Sequence, residues 1–191
     1  MRVFRLFIWL GMCFLGFSGA WAQSGTEKRT GTTTTTKASQ ESIRWLSLDE
    51  LQEAMKKKPK KVWIDVYTDW CGWCKRMDAT TFKHPDVVRY MNEHFYAVKL
   101  NAEQKDSIMF MGKSYGFMPQ YRANMFAIEL LRGQMSYPSN VFMEENYQNA
   151  QVIPGYQSVQ QMEMVLKYLA GGLYKTLPFD EYRDSFKPTW Q

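Results

Sequence analysis

The chain has 191 residues, of which 45% are hydrophobic and 16% aromatic, and its formal net charge is +5. This length and apolar content suit one domain with a sizeable core and require no second one. The small net charge, without a basic stripe interleaved with aromatic residues, is too mild to indicate a nucleic-acid-binding protein.

The first 22 residues have the pattern of a secretory signal peptide. Arg2 and Arg5 precede an apolar stretch, and Ala20-Trp21-Ala22 has the small-x-small form of a cleavage site. Residues 1–22 are therefore predicted to be removed on export, with an uncleaved membrane anchor as the alternative. We expect a periplasmic or otherwise exported protein, which contacts the membrane only through this leader if the leader stays attached.

Residues 23–40 are predicted to be a disordered linker. They are rich in Ser, Thr, Gly, Lys and Gln, a composition that cannot bury enough apolar surface to fold. One folded domain is then expected over residues 41–191. Loss of the leader would also remove Cys13, which leaves Cys71 and Cys74 as the cysteines of a chain that meets oxidising conditions.

The folded domain is predicted to begin with a short strand near residues 43–45. A helix is expected to follow and to run to about Lys57, with Ser47 or Asp49 as its N-cap.

A buried strand leads into the two cysteines. Val62 to Val66 is a short apolar run rich in β-branched and aromatic residues, which favours a strand buried on both faces. Residues 68–70 then turn the chain, and Cys71 opens a stretch typical of a helix. The sequence therefore predicts a strand, a tight loop and a helix with Cys-Gly-Trp-Cys on its first turn.

This placement suits dithiol chemistry. The unpaired N–H groups at a helix N-terminus stabilise a thiolate at Cys71, which is expected to be the exposed thiol. Cys74 lies one turn deeper on the same helical face, where it can resolve a mixed disulfide. A structural disulfide or half of a zinc site are the alternatives, but zinc needs about four ligands, and His84 and His94 have no matching spacing.

This segment resembles the active site of the thioredoxin family, in which an apolar strand with an acidic residue is followed by Trp-Cys-x-x-Cys-Lys. The residues in register are Asp65, Trp70, Cys71, Gly72, Cys74 and Lys75. The resemblance implies a thiol-disulfide oxidoreductase with Cys71 as nucleophile and Cys74 as resolving thiol, with no metal and no cofactor beyond this redox-active pair. Trp73 fills the remaining position between the cysteines.

The resemblance also implies roles for two charged residues. Asp65 is expected to lie beneath the cysteines as a lone acid without a partner, where burial raises its pKa and lets it exchange a proton with Cys74. Lys75 is expected to favour the thiolate form.

The elements after the cysteines are predicted from periodicity and from Pro and Gly positions. A helix is expected from Pro85 to about Glu93 and a strand over residues 95–100. Residues 104–115 are predicted to be helical. A further short helix is expected over residues 124–131, ending at Gly133.

Residues 117–135 are predicted to be an insertion before the next strand of the sheet. Five of its apolar side chains are expected to form an exposed docking patch for protein substrates: Phe117, Met118, Tyr121, Met125 and Phe126. The alternative is that they cover the core. Methionines in this region could form a copper site, although filling of irregular packing gaps is the preferred interpretation.

Residues 136–139 resemble the cis-proline loop of the same family. The resemblance implies that Pro138 lies beside the cysteines and that Tyr137 presents its backbone N–H and C=O to an extended substrate. An ordinary trans proline is the alternative. A hairpin of residues 141–144 and 149–153 and a helix from Ser158 to Ala170 are predicted to follow.

Together these elements predict an α/β thioredoxin fold, with a central mixed sheet flanked by helices. The insertion at about residues 117–135 precedes the cis-proline loop, and a short helical extension covers about residues 172–191.

The resemblance implies partners that carry protein thiols or disulfides. A secreted pair that acts as reductant or isomerase also needs electrons, and we expect a membrane donor. Trp73 stands where reducing thioredoxins have proline and isomerases have histidine, so the direction of transfer stays open. Two other classes compete: a Cu(I)-binding metallochaperone that uses the cysteines and nearby methionines, and a redox-independent holdase.

Overall fold

The computed structural model describes residues 41–191, so the predicted leader (1–22) and linker (23–40) lie outside the described residues. Within the described part, no helix is both long and apolar enough to cross a membrane. The helices are α1 (Leu48–Lys57), α2 (Gly72–Ala79), α3 (Pro85–His94), α4 (Met125–Leu130), α5 (Val159–Ala170) and α6 (Phe179–Ser185). The strands are β1 (Trp45–Leu46), β2 (Lys61–Tyr67), β3 (Phe95–Asn101), β4 (Ile108–Phe110), β5 (Lys113–Tyr115), β6 (Phe117–Met118), β7 (Ala123–Asn124), β8 (Ser139–Met143) and β9 (Gln151–Pro154).

A five-stranded mixed sheet with the order β1-β3-β2-β8-β9 forms the centre of the domain. Strand β2 is parallel to β3 and antiparallel to β8. Because β2 has a neighbour on each side and helices over both faces, residues 62–66 are all buried, as their continuous apolar run predicts. The register places Asp65 opposite Lys99 of β3 and Asn140 of β8.

Alternate side chains of the sheet enter two hydrophobic clusters, one on each face. Val62, Ile64 and Val66 of β2 pack with α1 and with residues 108–131 on one face. Trp63 packs with α2, α3 and α5 on the other. The predicted fold class, a central mixed sheet flanked by helices, is confirmed.

Polar residues determine where the flanking helices begin. Ser47 forms a capping box with Glu50 at the start of α1: the Glu50 amide donates to Ser47 Oγ at 3.1 Å, and the Ser47 amide donates to Glu50 Oε2 at 2.8 Å. Ser158 and Gln161 repeat this arrangement at α5. Pro85 occupies the first turn of α3, where its missing N–H costs no helical hydrogen bond.

The predicted helix over residues 104–115 is wrong. Strands β4 and β5 form an antiparallel hairpin here, which pairs Ile108 with Tyr115 and Phe110 with Lys113. Met111 and Gly112 have φ angles of 50° and 77°, the left-handed backbone that a two-residue hairpin turn requires. The burial of Ile108 and Phe110 with Met109 exposed follows the period of a strand.

The segment after this hairpin contributes to the core. Asn124 is the N-cap of helix α4, and its Oδ1 accepts a hydrogen bond from the Phe126 amide at 2.9 Å. Phe126 is only 2% exposed and packs against Phe110 and Tyr115. The prediction that Phe126 belongs to an exposed docking patch is therefore wrong, whereas Tyr121 is 60% exposed.

The C-terminal residues fold back onto α3 and α5. Glu163 of α5 is fully buried, and its carboxylate accepts hydrogen bonds from Lys167 Nζ at 2.6 Å and from the Thr189 amide at 2.9 Å. The ring of Trp190 packs edge-on against Tyr90 of α3, with centroids 5.5 Å apart.

Candidate active site

Cys71 and Cys74 are joined by a disulfide at the start of α2, with Cα atoms 5.3 Å apart. Cys71 is the N-cap residue, and its Sγ accepts a hydrogen bond from the Cys74 amide at 3.1 Å. The Cys71 amide in turn donates to the Thr68 carbonyl at 3.1 Å, which fixes the loop between β2 and α2. The sulfur of Cys71 therefore lies at the positive end of the helix dipole.

Exposure does not distinguish the two cysteines in the disulfide form. Cys71 is 4% exposed and Cys74 is 3% exposed, so the prediction that Cys71 is the exposed member does not hold for this state. Their positions on the helix do differ, because Cys71 caps α2 and Cys74 lies inside it.

Trp70 and Trp73 are the chain neighbours of Cys71 and Cys74, and each packs against a tyrosine. We call these four aromatic side chains the aromatic rim: Trp70, Trp73, Tyr137 and Tyr156. The ring of Trp70 packs edge-on against Tyr137 at 5.8 Å, and Trp73 packs against Tyr156 at 5.4 Å. The Arg76 guanidinium lies over the Trp73 ring at 5.6 Å. Trp70 and Trp73 are 64% and 58% exposed, which is unusual for tryptophan and leaves both rings open to a partner.

The loop before β8 supplies Tyr137 to this rim. The Tyr137–Pro138 peptide bond is cis. Pro138 is buried, and its carbonyl accepts the Gly155 amide at 2.8 Å. Ser139 Oγ donates to the Ser136 carbonyl at 2.8 Å and closes the loop. Within residues 41–191, the backbone N–H and C=O of Tyr137 make no hydrogen bond.

Asp65 is buried in the middle of the sheet and is only 2% exposed. The prediction that it has no partner is wrong, because its Oδ2 lies 2.9 Å from Lys99 Nζ. Its Oδ1 has no hydrogen-bond partner among the described residues. Burial raises the pKa of Asp65 to about 6, although the positive charge of Lys99 opposes this shift.

The two remaining predicted site residues lie on the first turn of α2. The Lys75 amide donates to the Cys71 carbonyl at 3.2 Å, and its side chain is exposed to solvent. A Cβ placed on Gly72 would meet no atom within 4 Å, so close packing does not require glycine there.

Metal-binding potential rests on the cysteine pair and on methionines. Among the described residues, no group of three or more His, Cys, Asp or Glu side chains is placed to hold a metal ion. Met109 and Met111 of the β4–β5 hairpin are exposed.

Sequence reasoning missed three side chains that contact predicted site residues: Lys99, Arg76 and Tyr156. It also missed Asp78, which contacts Lys99. Lys99 had a usable signal, since it is the charged residue inside the apolar strand β3. Arg76 and Asp78 lie on α2 without a distinguishing pattern, and Tyr156 reaches Trp73 only through the fold.

Residues 48–170 match the thioredoxin-like domain family, and the chain belongs to this family. The chain is 35% identical over 46 residues to the thiol:disulfide interchange protein DsbD of Pectobacterium atrosepticum, a match that covers 24% of this chain and 8% of that protein.

Two solved structures share the fold at low sequence identity. A thioredoxin-fold protein from Helicobacter pylori is 20% identical, with a TM-score of 0.51, over 64% of this chain and 76% of that one. A DsbH oxidoreductase is 17% identical, with a TM-score of 0.50, over 80% of this chain and 96% of that one.

Proposed function

We propose that this protein is an exported thiol-disulfide oxidoreductase that reduces or isomerises disulfides in other proteins. The observation that carries the proposal is the disulfide between Cys71 and Cys74 at the N-terminus of α2. Membership of the thioredoxin-like family supports the same chemistry.

The first step begins from the reduced pair. The Cys71 thiolate is stabilised by the helix N-terminus and by the Cys74 amide, and it attacks one sulfur of a substrate disulfide. A bond forms between Cys71 and that sulfur, the substrate S–S bond breaks, and the second substrate sulfur leaves as a thiolate.

The second step releases the substrate. Asp65 accepts the Cys74 proton through water, and the Cys74 thiolate attacks the Cys71 sulfur. The Cys71–Cys74 disulfide forms, and the bond to the substrate breaks. The substrate has gained two electrons, and its two thiolates become thiols by taking up protons from Asp65 and from solvent. A pKa of about 6 suits Asp65 to this role, because it is ionised at neutral pH and still exchanges protons readily.

The rim and the Tyr137 loop would bind an extended segment of the substrate. The free backbone N–H and C=O of Tyr137 can pair with a peptide in the manner of an added strand. The exposed ring of Trp70 lies against Tyr137 and offers an apolar surface beside the same backbone. Contacts of this kind suit partly unfolded proteins with reactive disulfides.

The location and the electron source are further parts of the proposal. The signal-peptide pattern of residues 1–22 supports export to the periplasm. A protein that reduces or isomerises disulfides there must be kept reduced, and we assign this task to a membrane electron donor.

Catalysed reduction of insulin disulfides by the full chain, with dithiothreitol as donor, tests the proposal. The wild-type protein should accelerate the reaction, and the Cys71→Ser/Cys74→Ser double variant should not. The Met109→Ala/Met111→Ala double variant is the control that should keep the activity.

Two results would favour the competing classes. Stoichiometric Cu(I) binding that depends on both the cysteines and Met109 and Met111, without insulin reduction, would indicate a metallochaperone. Suppression of aggregation by the double cysteine variant, again without reduction, would indicate a holdase.

A further inference from the structure

The side chain of Lys99 contacts two carboxylates, one buried in the sheet and one at the surface. Its Nζ lies 2.9 Å from Oδ2 of the buried Asp65 and also hydrogen-bonds to the carboxylate of Asp78 in the last turn of α2. The side chain of Asp78 is 43% exposed, whereas that of Asp65 is 2% exposed. The ammonium group therefore links an acid inside the sheet to an acid at the surface.

Aromatic side chains hold the ammonium group in this position. Nζ lies 4.8 Å from the ring centroid of Tyr67, 5.3 Å from that of Trp45 and 5.7 Å from that of Phe82. Three aromatic rings at these distances favour a cation and help to hold it between the two carboxylates.

The charged and titratable groups around Lys99 come from β2, from α2 and the segment after it, and from α1. Strand β2 brings Asp65 and Tyr67, and α2 brings Asp78. The remaining charged groups that line the cavities next to Lys99 are Lys83, after α2, and Asp49, at the start of α1.

We propose that Asp78 is a positioning residue for the dithiol reaction described above, because it draws part of the Lys99 charge away from Asp65. This inference rests on the proposed function, in which Asp65 takes up and returns the Cys74 proton. An undivided pair with Lys99 would hold Asp65 as a permanent carboxylate, which accepts a proton poorly at neutral pH. Sharing of the cation, together with the negative charge of Asp78, favours the protonated form of Asp65.

The competing interpretation is structural: the Asp78–Lys99 contact would only fasten α2 to β3. On that interpretation, replacement of Asp78 changes the free energy of unfolding but does not change the titration midpoint of Asp65. A direct titration of Asp65 separates the two interpretations.

The test follows the Asp65 carboxyl carbon by NMR as a function of pH, in the full chain with the cysteines oxidised so that no thiol titrates. Asp78→Asn preserves size at a half-exposed site, and it should lower the titration midpoint of Asp65 by about half a pH unit or more. Lys99→Met should raise the midpoint. Asp86→Asn, which removes a surface ion pair with Arg89 on α3, is the control that should leave it unchanged.

In Asp78→Asn, the acidic side of the pH profile for insulin reduction should shift to lower pH together with the titration midpoint of Asp65. An unchanged midpoint in this variant would overturn the inference even if insulin reduction were intact. A wild-type protein that does not reduce insulin would instead overturn the proposed function, whatever the titration shows.

Discussion

The buried carboxylate of Glu163 accepts a hydrogen bond from the backbone amide of Trp190 at 2.9 Å, so the end of the chain is tied to the middle of α5. Burial alone would raise the pKa of Glu163. The hydrogen bonds from Lys167, Thr189 and Trp190 outweigh this effect and lower the pKa to about 2. The anchored C-terminal segment is thus part of the folded core.

Glu163→Gln should destabilise the protein in a pH-dependent way. A carboxyl whose folded pKa lies below its unfolded value stabilises the fold above the unfolded pKa, and this contribution is lost as pH falls through the folded pKa. We expect the variant to lose roughly 3 kcal/mol of its free energy of unfolding near neutral pH, and less than this below about pH 5. Urea unfolding at pH 7 and pH 3 measures it, with the exposed Glu181→Gln as control. A loss of equal size at both pH values would contradict the prediction.

Asp65→Asn should raise the free energy of unfolding more at neutral pH than at acidic pH. The folded pKa of about 6 lies above the unfolded value, so ionisation of Asp65 in the folded state costs free energy that grows from about pH 4 and levels off above pH 6. The stabilisation of this variant over the wild type should therefore be about 2 kcal/mol larger at pH 7 than at pH 4. Denaturant melts of this variant and of the exposed Asp106→Asn control would show it, and a gain that did not grow with pH would reject the prediction.

Cys74→Ser should accumulate mixed disulfides with substrate proteins, and Cys71→Ser should trap few. Both sulfurs are nearly buried in the oxidised form, so the expected difference comes from the N-cap position of Cys71 and not from exposure. Non-reducing gels with and without dithiothreitol detect the adducts. Similar amounts of adduct from the two variants would show that the roles are assigned wrongly.

Phe126→Ala should cost about 3 to 4 kcal/mol of stability, because it opens a cavity among Phe110 and Tyr115. Tyr121→Ala, at an exposed position of the same segment, should change stability by less than about 0.5 kcal/mol. Thermal or urea unfolding compares the two variants. If both were equally mild, the segment would not contribute to the core as the structure shows.

The residues around the cysteines could be predicted because their signals are local. The apolar run before Cys71 correctly predicted the buried strand, and Pro85 correctly marked the start of a helix. Of the two candidate N-caps for α1, Ser47 and Asp49, the structure shows Ser47. The hairpin at residues 108–115 could not be recognised in the same way. Its strands are three residues long, and the turn depends on Met111, a residue that does not favour positive φ.

The charges near the site depend on contacts across the sheet. Lys99 is 34 residues from Asp65 in sequence and meets it only because β2 and β3 are parallel and in register. The same holds for Phe126, whose burial follows from packing against the β4–β5 hairpin, which the sequence did not reveal. Pairwise contacts of this kind are set by tertiary structure and leave little trace in local periodicity.

The two outer strands of the central sheet bear on how the protein behaves at high concentration. Strand β1 is two residues long, and β9 ends at Pro154, whose nitrogen cannot donate a hydrogen bond. Short edge strands and proline deny a neighbouring molecule a continuous row of backbone partners. Sheet-to-sheet aggregation between native copies is therefore disfavoured at both edges of the central sheet.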